Sequence, residues 1–438
     1  MEKVLAFEEA LAVVLAEARR VEAAGAAELV WLAEAEGRVM AQAEGRVLFE
    51  AICAERDQPP FDRSTRDGYA IRSADVAAGR VFDVLGTVRA GEVWRGDAIR
   101  EGQAVEIMTG APLPAGADAV VMVEHVVCDG QTLRFADGRN LRVGENVVPR
   151  GAEARAGDTL LPAGRLLGAA EIAVATSCGR ETIEVRGRPM VGIVATGDEL
   201  VELDQKPEPW QIYNSNSYAL AALVRQEGGF AGRLKIARDT RKDLVERIAQ
   251  GATWDLLILS GGVSMGKFDL VEELLAEFGA EFFFTGAMIQ PGRPVVFGRL
   301  PKRGAYGWDD DGRCAPTPLN EPWTGEWTYF FGLPGNPVST QVCFHLFVAP
   351  MLRALAGRSD LSPRFVEAKL IEDVKGGARV TRFLPAEMTS AWDAVSVKVV
   401  GWQGSGDVAA NARGNCYAVL PAGVEAFRVG ETVRVLLR

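Results

Sequence analysis

From Arg188 to Leu355 the chain repeats one pattern: a short apolar run, a loop rich in glycine or proline, then an amphipathic helical stretch. Met190–Ala195, Leu256–Ser260 and Tyr329–Gly332 read as strands. Ser215–Gln226, Asp269–Phe278 and Val338–Leu355 read as helices, the last bent at Pro350, which lacks the donor an α-helix needs there. Strands separated by helices run parallel, because each helix returns the chain to the same edge, and both sheet faces then need cover. The pattern predicts a three-layer α/β domain with a parallel-rich sheet over 188–360.

At 438 residues the chain exceeds what one core holds, about 250–300 residues, so further domains are expected. Phe7, Leu11, Val14, Leu15 and Ala18 recur at helical spacing and predict an amphipathic opening helix; a second helical piece is expected over Leu32 to Ala41. Tyr69–Ile71, Val81–Val88, Ala104–Met108 and Ala119–Val127 are short β-type runs split by turn residues. Leu160 to Thr176 returns to the helical style, so the β-rich module is expected as an insertion. Beyond Ser362 the helical pattern stops, and Val395–Val400, Cys416–Leu420 and Thr432–Leu437 predict a small β-barrel. The expected division is 1–58 with 150–187, an inserted module at 59–149, the α/β domain at 188–360 and the barrel at 361–438.

Composition narrows the function. A net charge of −11 argues against a broad grip on nucleic acid. His125 and His345 are the only histidines, which excludes a histidine-built metal site, and His345 sits among apolar neighbours as a packed helix residue. The six cysteines are scattered without a C-x-x-C pair, the usage of a reducing compartment. The N-terminus has no secretory pattern, and no apolar run approaches the ~20 residues of a membrane span. These features predict a cytoplasmic protein with a small-molecule substrate and neither nucleic acid nor membrane as partner.

Three loops carry the chemistry. The strand Leu256–Ser260 enters Gly261-Gly-Val-Ser-Met-Gly-Lys267 and exits toward Asp269. Free N–H groups at a helix start favour anions, and glycine lets a ligand approach closely. The loop formally fits a P-loop, but Phe268 stands where that motif needs Ser or Thr. Thr196-Gly-Asp-Glu-Leu200 puts Asp198 and Glu199 at a strand's C-terminal end, where open α/β sheets bind ligands. Downstream, Asn214 and Ser215 are expected to cap a helix. Gly332-Leu-Pro-Gly-Asn-Pro-Val-Ser339 is stiffened by two prolines, with Asn336 a cap for a helix starting at Pro337. Together the loops form a crevice suited to a phosphate-bearing ligand. Gly404-Ser-Gly-Asp-Val-Ala409 fits a relaxed dinucleotide fingerprint, yet no useful helix follows it and it reads as chance. Lys302 to Thr328 reads as a solvated hairpin extension.

In order along the chain stand Phe61-Asp-Arg-Ser64 with Asp67-Gly-Tyr-Ala70, Met108-Thr-Gly-Ala-Pro112 and Ala195-Thr-Gly-Asp-Glu-Leu200. Then come Ser260-Gly-Gly-Val-Ser264, Gln290-Pro-Gly-Arg-Pro294, Gly332-Leu-Pro-Gly-Asn-Pro-Val-Ser339 and Gly401-Trp-Gln-Gly-Ser405. This ordered set resembles the MoeA family of molybdopterin molybdenumtransferases, related to the E domain of gephyrin. The resemblance implies a multidomain α/β protein with a central molybdopterin-binding domain, acting as a homodimer. It implies insertion of molybdate into adenylylated molybdopterin with release of AMP and use of Mg²⁺. An upstream adenylyltransferase and downstream molybdoenzyme maturation proteins are the partners it suggests.

On the same basis, Glu199, Asp269, Asp67 and Asp239 are expected as catalytic residues, with Glu199 and Asp269 holding the metal. Thr109, Gly261, Gly262, Ser264, Pro334, Gly335, Asn336, Pro337 and Ser405 are expected to bind the cofactor. Gly286 and Gln290 replace lysines of many relatives, and Phe383-Leu-Pro385 lacks an arginine, although Arg382 is adjacent. Arg63, Thr65 and Arg66 replace commoner Asn, Ala and Met, and the two arginines offer compensating positive charge. The alternatives are a non-catalytic pterin-binding or scaffold protein of the gephyrin type, a tungstate-inserting homologue, and a nucleotide hydrolase sharing only the α/β domain.

Overall fold

The computed structural model describes residues 3–21, 27–32, 43–78, 80–135, 140–262, 270–302, 307–308, 314–315, 326–376, 379–392 and 394–438. They form two compact units: Glu50–Ala163 with Gly168–Ile183, and the remainder of the chain. The second helical piece expected over Leu32 to Ala41 falls, beyond Leu32, outside the described residues.

The unit Glu50–Ala163 with Gly168–Ile183 is built on a six-stranded sheet. Its order is Ala119–Met122, Gly68–Ile71, Gln103–Ile107, Val81–Val88, Thr132–Phe135, Val126–Cys128. Side chains alternate between its faces as the strand repeat of two requires. Tyr69, Ile71, Phe82 and Leu133 join one buried cluster; Ala70, Val88, Val105 and Val120 join another. Segment 59–149 lies within this unit.

In the other unit a six-stranded sheet runs Phe230–Arg233, Met190–Ala195, Leu256–Ser260, Trp327–Leu333, Val296–Pro301, Glu281–Phe284. The first four strands are parallel, and the last two join antiparallel. Alternation again divides the burial. Val191, Ile193, Leu256 and Ile258 meet the helices Phe7–Ala18 and Ser215–Gln226 on one face. Val194, Leu257 and Leu259 meet Arg241–Gly251 and Leu270–Glu277 on the other. These strand residues are at most 2% exposed, and each large aliphatic side chain so buried contributes about 1.5–3 kcal/mol. The result is three layers with all four parallel strands ending on one edge.

The run Pro337–Leu355 is helical throughout but not α-helical throughout. Pro337–Cys343 is α, Phe344–Val348 widens into a π turn, and Ala349–Leu355 resumes α. The irregularity therefore precedes Pro350. Proline cannot donate to the carbonyl one turn earlier, and a wider turn relieves the clash of its ring. This run of 19 residues is long and apolar enough to cross a membrane on length and composition, which corrects the sequence reading that no run comes close. It is 94% buried inside the protein and serves as a core helix. His345 lies buried in the π turn, and loss of hydration holds its pKa down to about 4.

C-terminally, Thr381–Ser390, Val395–Val399, Phe365–Leu370, Thr432–Leu437 and Cys416–Leu420 pair in that order, and the last pairs back with the first. Closure makes a five-stranded barrel and leaves no open edge. Among the elements that went unread in the sequence are the strand Ala27–Trp31, the helix Arg241–Gly251, the strands Val296–Pro301 and Thr381–Ser390, and the short helix Val408–Arg413, capped by Asp407, whose carboxylate accepts from the Ala410 amide at 2.9 Å. In the polar stretch after Lys302, Gly307–Trp308 pairs antiparallel with Cys314–Ala315.

Candidate functional site

The parallel strands Met190–Ala195, Leu256–Ser260 and Trp327–Leu333 each run directly into one of the three loops, so the loops meet on one edge by topology. They enclose a crevice of about 650 Å³, within the range that small-molecule sites occupy.

Loop one is held from beneath. Arg238 Nη1 donates to the carbonyls of Asp198 (3.0 Å), Leu200 (3.2 Å) and Gly197 (3.5 Å). The Gly197 amide donates to the Ala237 carbonyl at 3.1 Å. Gly197 has φ +145°, and a Cβ there would stand 2.4 Å from Glu199 Oε2, so only glycine lets that carboxylate fold back over the loop. Glu199 and Asp239 both line the crevice, and the Asp239 amide donates to Asp198 Oδ1 at 3.3 Å. Partial burial raises the Asp239 pKa above the ordinary carboxylate value; the charges of Asp198 and Glu199 add to this and Arg238 opposes it. Acids gathered this closely favour a cation or a proton.

Loop two begins with Gly261 and Gly262, at φ +95° and +67°. A Cβ on Gly261 would stand 2.6 Å from the Thr196 carbonyl, so loops one and two touch backbone to backbone. Thr196 Oγ1 is buried and has no partner among the described residues. Loop three follows Leu333: Pro334 is buried, Gly335 and Asn336 are exposed to the crevice, and the next helix starts at Pro337. Asn336 occupies the N-cap position but its side chain makes no capping bond, unlike Asn214, whose Oδ1 accepts from the Ser217 amide at 3.2 Å.

Of the sequence-derived site residues, Glu199, Asp239, Gly261, Gly262, Pro334, Gly335, Asn336 and Pro337 all line this one crevice. Ser405 stands beside it, its carbonyl accepting from the Val338 amide at 3.0 Å. Asp269 and Ser264 lie outside the described residues. Asp67 and Thr109 belong to the other unit, where the Thr109 amide and hydroxyl donate to Asp67 Oδ1 at 2.7 and 2.8 Å and hold its pKa below the ordinary range.

Sequence reasoning missed Asn216 and Arg238, which hold the loops together. The only local signal was the second asparagine of Asn214-Ser-Asn216 at a helix start. It also dismissed Gly404–Ala409 as chance, whereas Gly406 and Val408 line the crevice. The motif is no dinucleotide fingerprint, because it leads into a six-residue helix after the barrel strand Val395–Val399.

The departures from the family pattern have a structural setting. A Cβ on Gly286 would meet Val4 Cγ2 at 2.9 Å, so a lysine there would displace the first strand pairing. Gln290 is the register partner of Arg382, and both line an open cleft of about 660 Å³ with Lys375. Arg63 is paired with Glu153 at 2.6 Å, which takes up the charge it offered, while Arg66 is exposed.

The crevice at the C-terminal edge of the parallel strands, lined by Glu199, Asp239 and glycine backbone, lies where open α/β sheets bind small-molecule ligands. Comparisons with known proteins narrow the class. The descriptions "MoeA N-terminal region (domain I and II)", "Probable molybdopterin binding domain" and "MoeA C-terminal region (domain IV)" match residues 5–179, 192–354 and 367–437. The molybdopterin molybdenumtransferase of Staphylococcus epidermidis is 34% identical over 396 residues, covering 89% of this chain and 88% of that one. That of Staphylococcus aureus is 33% identical over 398 residues with the same coverage. The crystal structure of a molybdopterin biosynthesis moeA protein from Pyrococcus horikoshii OT3 superposes over the full length of both chains with TM-score 0.74 and 27% identity. The chain belongs to the MoeA family, and it is an enzyme with a role in molybdenum cofactor biosynthesis.

Proposed function

We propose that this enzyme inserts molybdate into the dithiolene of adenylylated molybdopterin and releases AMP. The observation that carries the proposal is the division of labour within one crevice: Glu199 on loop one and Asp239, from the turn before the helix Arg241–Gly251, line it together with the glycine backbones of Gly261, Gly262 and Gly335 on loops two and three. Carboxylates repel a phosphate, whereas unblocked amides attract it, so the two walls suit a phosphoanhydride with a cation beside it.

Among the described residues no group of three or more His, Cys, Asp or Glu side chains is close enough to hold a metal, so the set we propose, Glu199 with Asp269, draws on a residue outside them. Oxygen donors with mutual repulsion fit a hard cation such as Mg²⁺, which when bound would neutralise phosphate charge. This chain's own residues then do the following. Glu199 orients the attacking water, Asp239 takes its proton, and the amides of Gly262 and Gly335 steady the phosphate that becomes AMP, the Gly261 amide being spent on the Leu333 carbonyl at 3.0 Å. By the family pattern Asp67 and Thr109 serve the molybdate side, and Arg382 with Lys375 replaces the charge that lysines supply in relatives.

We further propose a homodimer, the four-domain division given by the family pattern, and a cytoplasmic location, to which the free cysteines Cys53, Cys128, Cys178, Cys343 and Cys416 are suited. One observation favours a second, scaffolding reading: an apolar groove of about 660 Å³ between Phe7, Leu11 and Leu15 of the first helix and Phe365, Val419 and Phe427 of the barrel. The test is Glu199→Ala in the purified protein. It should fold and dimerise like the parent but fail to release AMP from adenylylated molybdopterin with molybdate; unaltered turnover would remove Glu199 from the mechanism.

A further inference from the structure

Asn216 sits in the first turn of the helix Ser215–Gln226 and reaches under the crevice floor. Its Nδ2 lies 2.8 Å from the Gly335 carbonyl, 3.0 Å from Ser260 Oγ and 3.3 Å from Thr340 Oγ1. The amide orientation follows from chemistry. The Gly335 carbonyl can only accept, and Thr340 Oγ1 spends its own hydrogen on the Pro334 carbonyl at 2.6 Å, leaving a lone pair for Asn216. The NH₂ end therefore ties the strand preceding loop two to loop three. The opposite end, Oδ1, takes no hydrogen bond from any described residue and is not sealed from solvent, and Asn216 itself lines the crevice.

A fixed acceptor beside glycine amides sorts the parts of a ligand. It disfavours phosphate oxygen and favours an N–H edge. We propose that Asn216 determines specificity by accepting a hydrogen bond from the amine edge of the substrate's aromatic heterocycle, while its NH₂ group holds loops two and three in register. The inference rests on the reading of the crevice as a pterin-nucleotide site. Both pterin and adenine present an exocyclic amine, so the ligand chemistry is shared and the assay must separate the two.

The experiment is calorimetric titration of the full-length protein, as wild type, Asn216→Ser and Thr340→Val, with 6-carboxypterin, AMP and inorganic pyrophosphate. Wild type should bind pyrophosphate and at least one heterocycle. Asn216→Ser should weaken that heterocycle roughly tenfold, the worth of one well-placed hydrogen bond, and pyrophosphate by no more than about twofold. Thr340→Val removes one tie and keeps Oδ1, so it should weaken all ligands to a similar, smaller degree. The heterocycle with the larger loss names the group that Asn216 reads. Equal losses for heterocycle and pyrophosphate in Asn216→Ser would reduce the residue to a structural tie and overturn the proposal, as would no loss at all. A wild type that binds none of the three would overturn the crevice reading itself.

Discussion

Replacing Arg238 by alanine should uncouple loop one from the sheet. Nη1 carries two hydrogens and faces three carbonyls, at 3.0, 3.2 and 3.5 Å, so only two full hydrogen bonds form and the longest contact is shared. Hydrogen bonds to a charged group are worth about 1.5–3 kcal/mol each. Arg238 is half-buried, which places these at the low end, about 3 kcal/mol together, and water at the crevice mouth recovers part of that. A net loss of about 1–2 kcal/mol remains, equivalent to a melting shift of about 2–8 °C for a unit of this size. Loss of the guanidinium also removes the one charge that lowers the Asp239 pKa, so the acid limb of the activity profile should move to higher pH. Arg238→Lys keeps the charge but not the two-pronged grip, and should restore the pH profile without restoring the melting temperature. Differential scanning fluorimetry and AMP release measured from pH 5 to 9 decide the matter. A variant that melts with wild type and keeps its pH profile would refute the clamp.

Asp239→Asn should melt higher than wild type near neutral pH and equal to it near pH 3. A carboxyl whose folded pKa is raised contributes stability below its unfolded pKa and loses it as pH rises through the folded value, so at pH 7 the charged group is a cost. A lower melting point at pH 7 would contradict this. Glu227→Ala should destabilise by about 3–5 kcal/mol, because it strips the bidentate partner from Arg353 and one partner from Arg358, both buried; a shift under about 1 kcal/mol in the urea midpoint would show that the cluster relaxes. Arg382→Ala should raise the molybdate concentration for half-maximal turnover about tenfold while leaving AMP affinity alone; an unchanged molybdate response would place oxyanion recognition elsewhere.

What the sequence disclosed follows from how locally each feature is encoded. Met190–Ala195, Ser215–Gln226, Leu256–Ser260, Cys416–Leu420 and Thr432–Leu437 have the bounds expected of them, since their periodicity is unbroken and their ends carry turn or cap residues. The helix Val408–Arg413 and the strand Ala27–Trp31 are too short to show a period. That Gly261, Gly335 and Glu199 line one crevice was legible because they follow apolar strands of one parallel sheet. Asn216 and Arg238 were not, because what defines them is which carbonyls tertiary packing brings within reach, and an asparagine in a first helical turn carries no mark of that. The same holds for Gly406 and Val408, which reach the crevice from the start of the helix Val408–Arg413 and the turn before it.

The central claim is that one crevice joins an acid loop to two anion-binding loops to run a molybdate-dependent transfer. Its most direct test is a single turnover with purified protein, adenylylated molybdopterin and Mg²⁺, following AMP with and without molybdate and assaying the metallated product. The account predicts AMP and metallated cofactor in equal amounts, formed only with molybdate and lost in Glu199→Ala. Adenylylated molybdopterin that stays bound and intact for hours with molybdate present would contradict it and leave the pterin-binding scaffold as the better description.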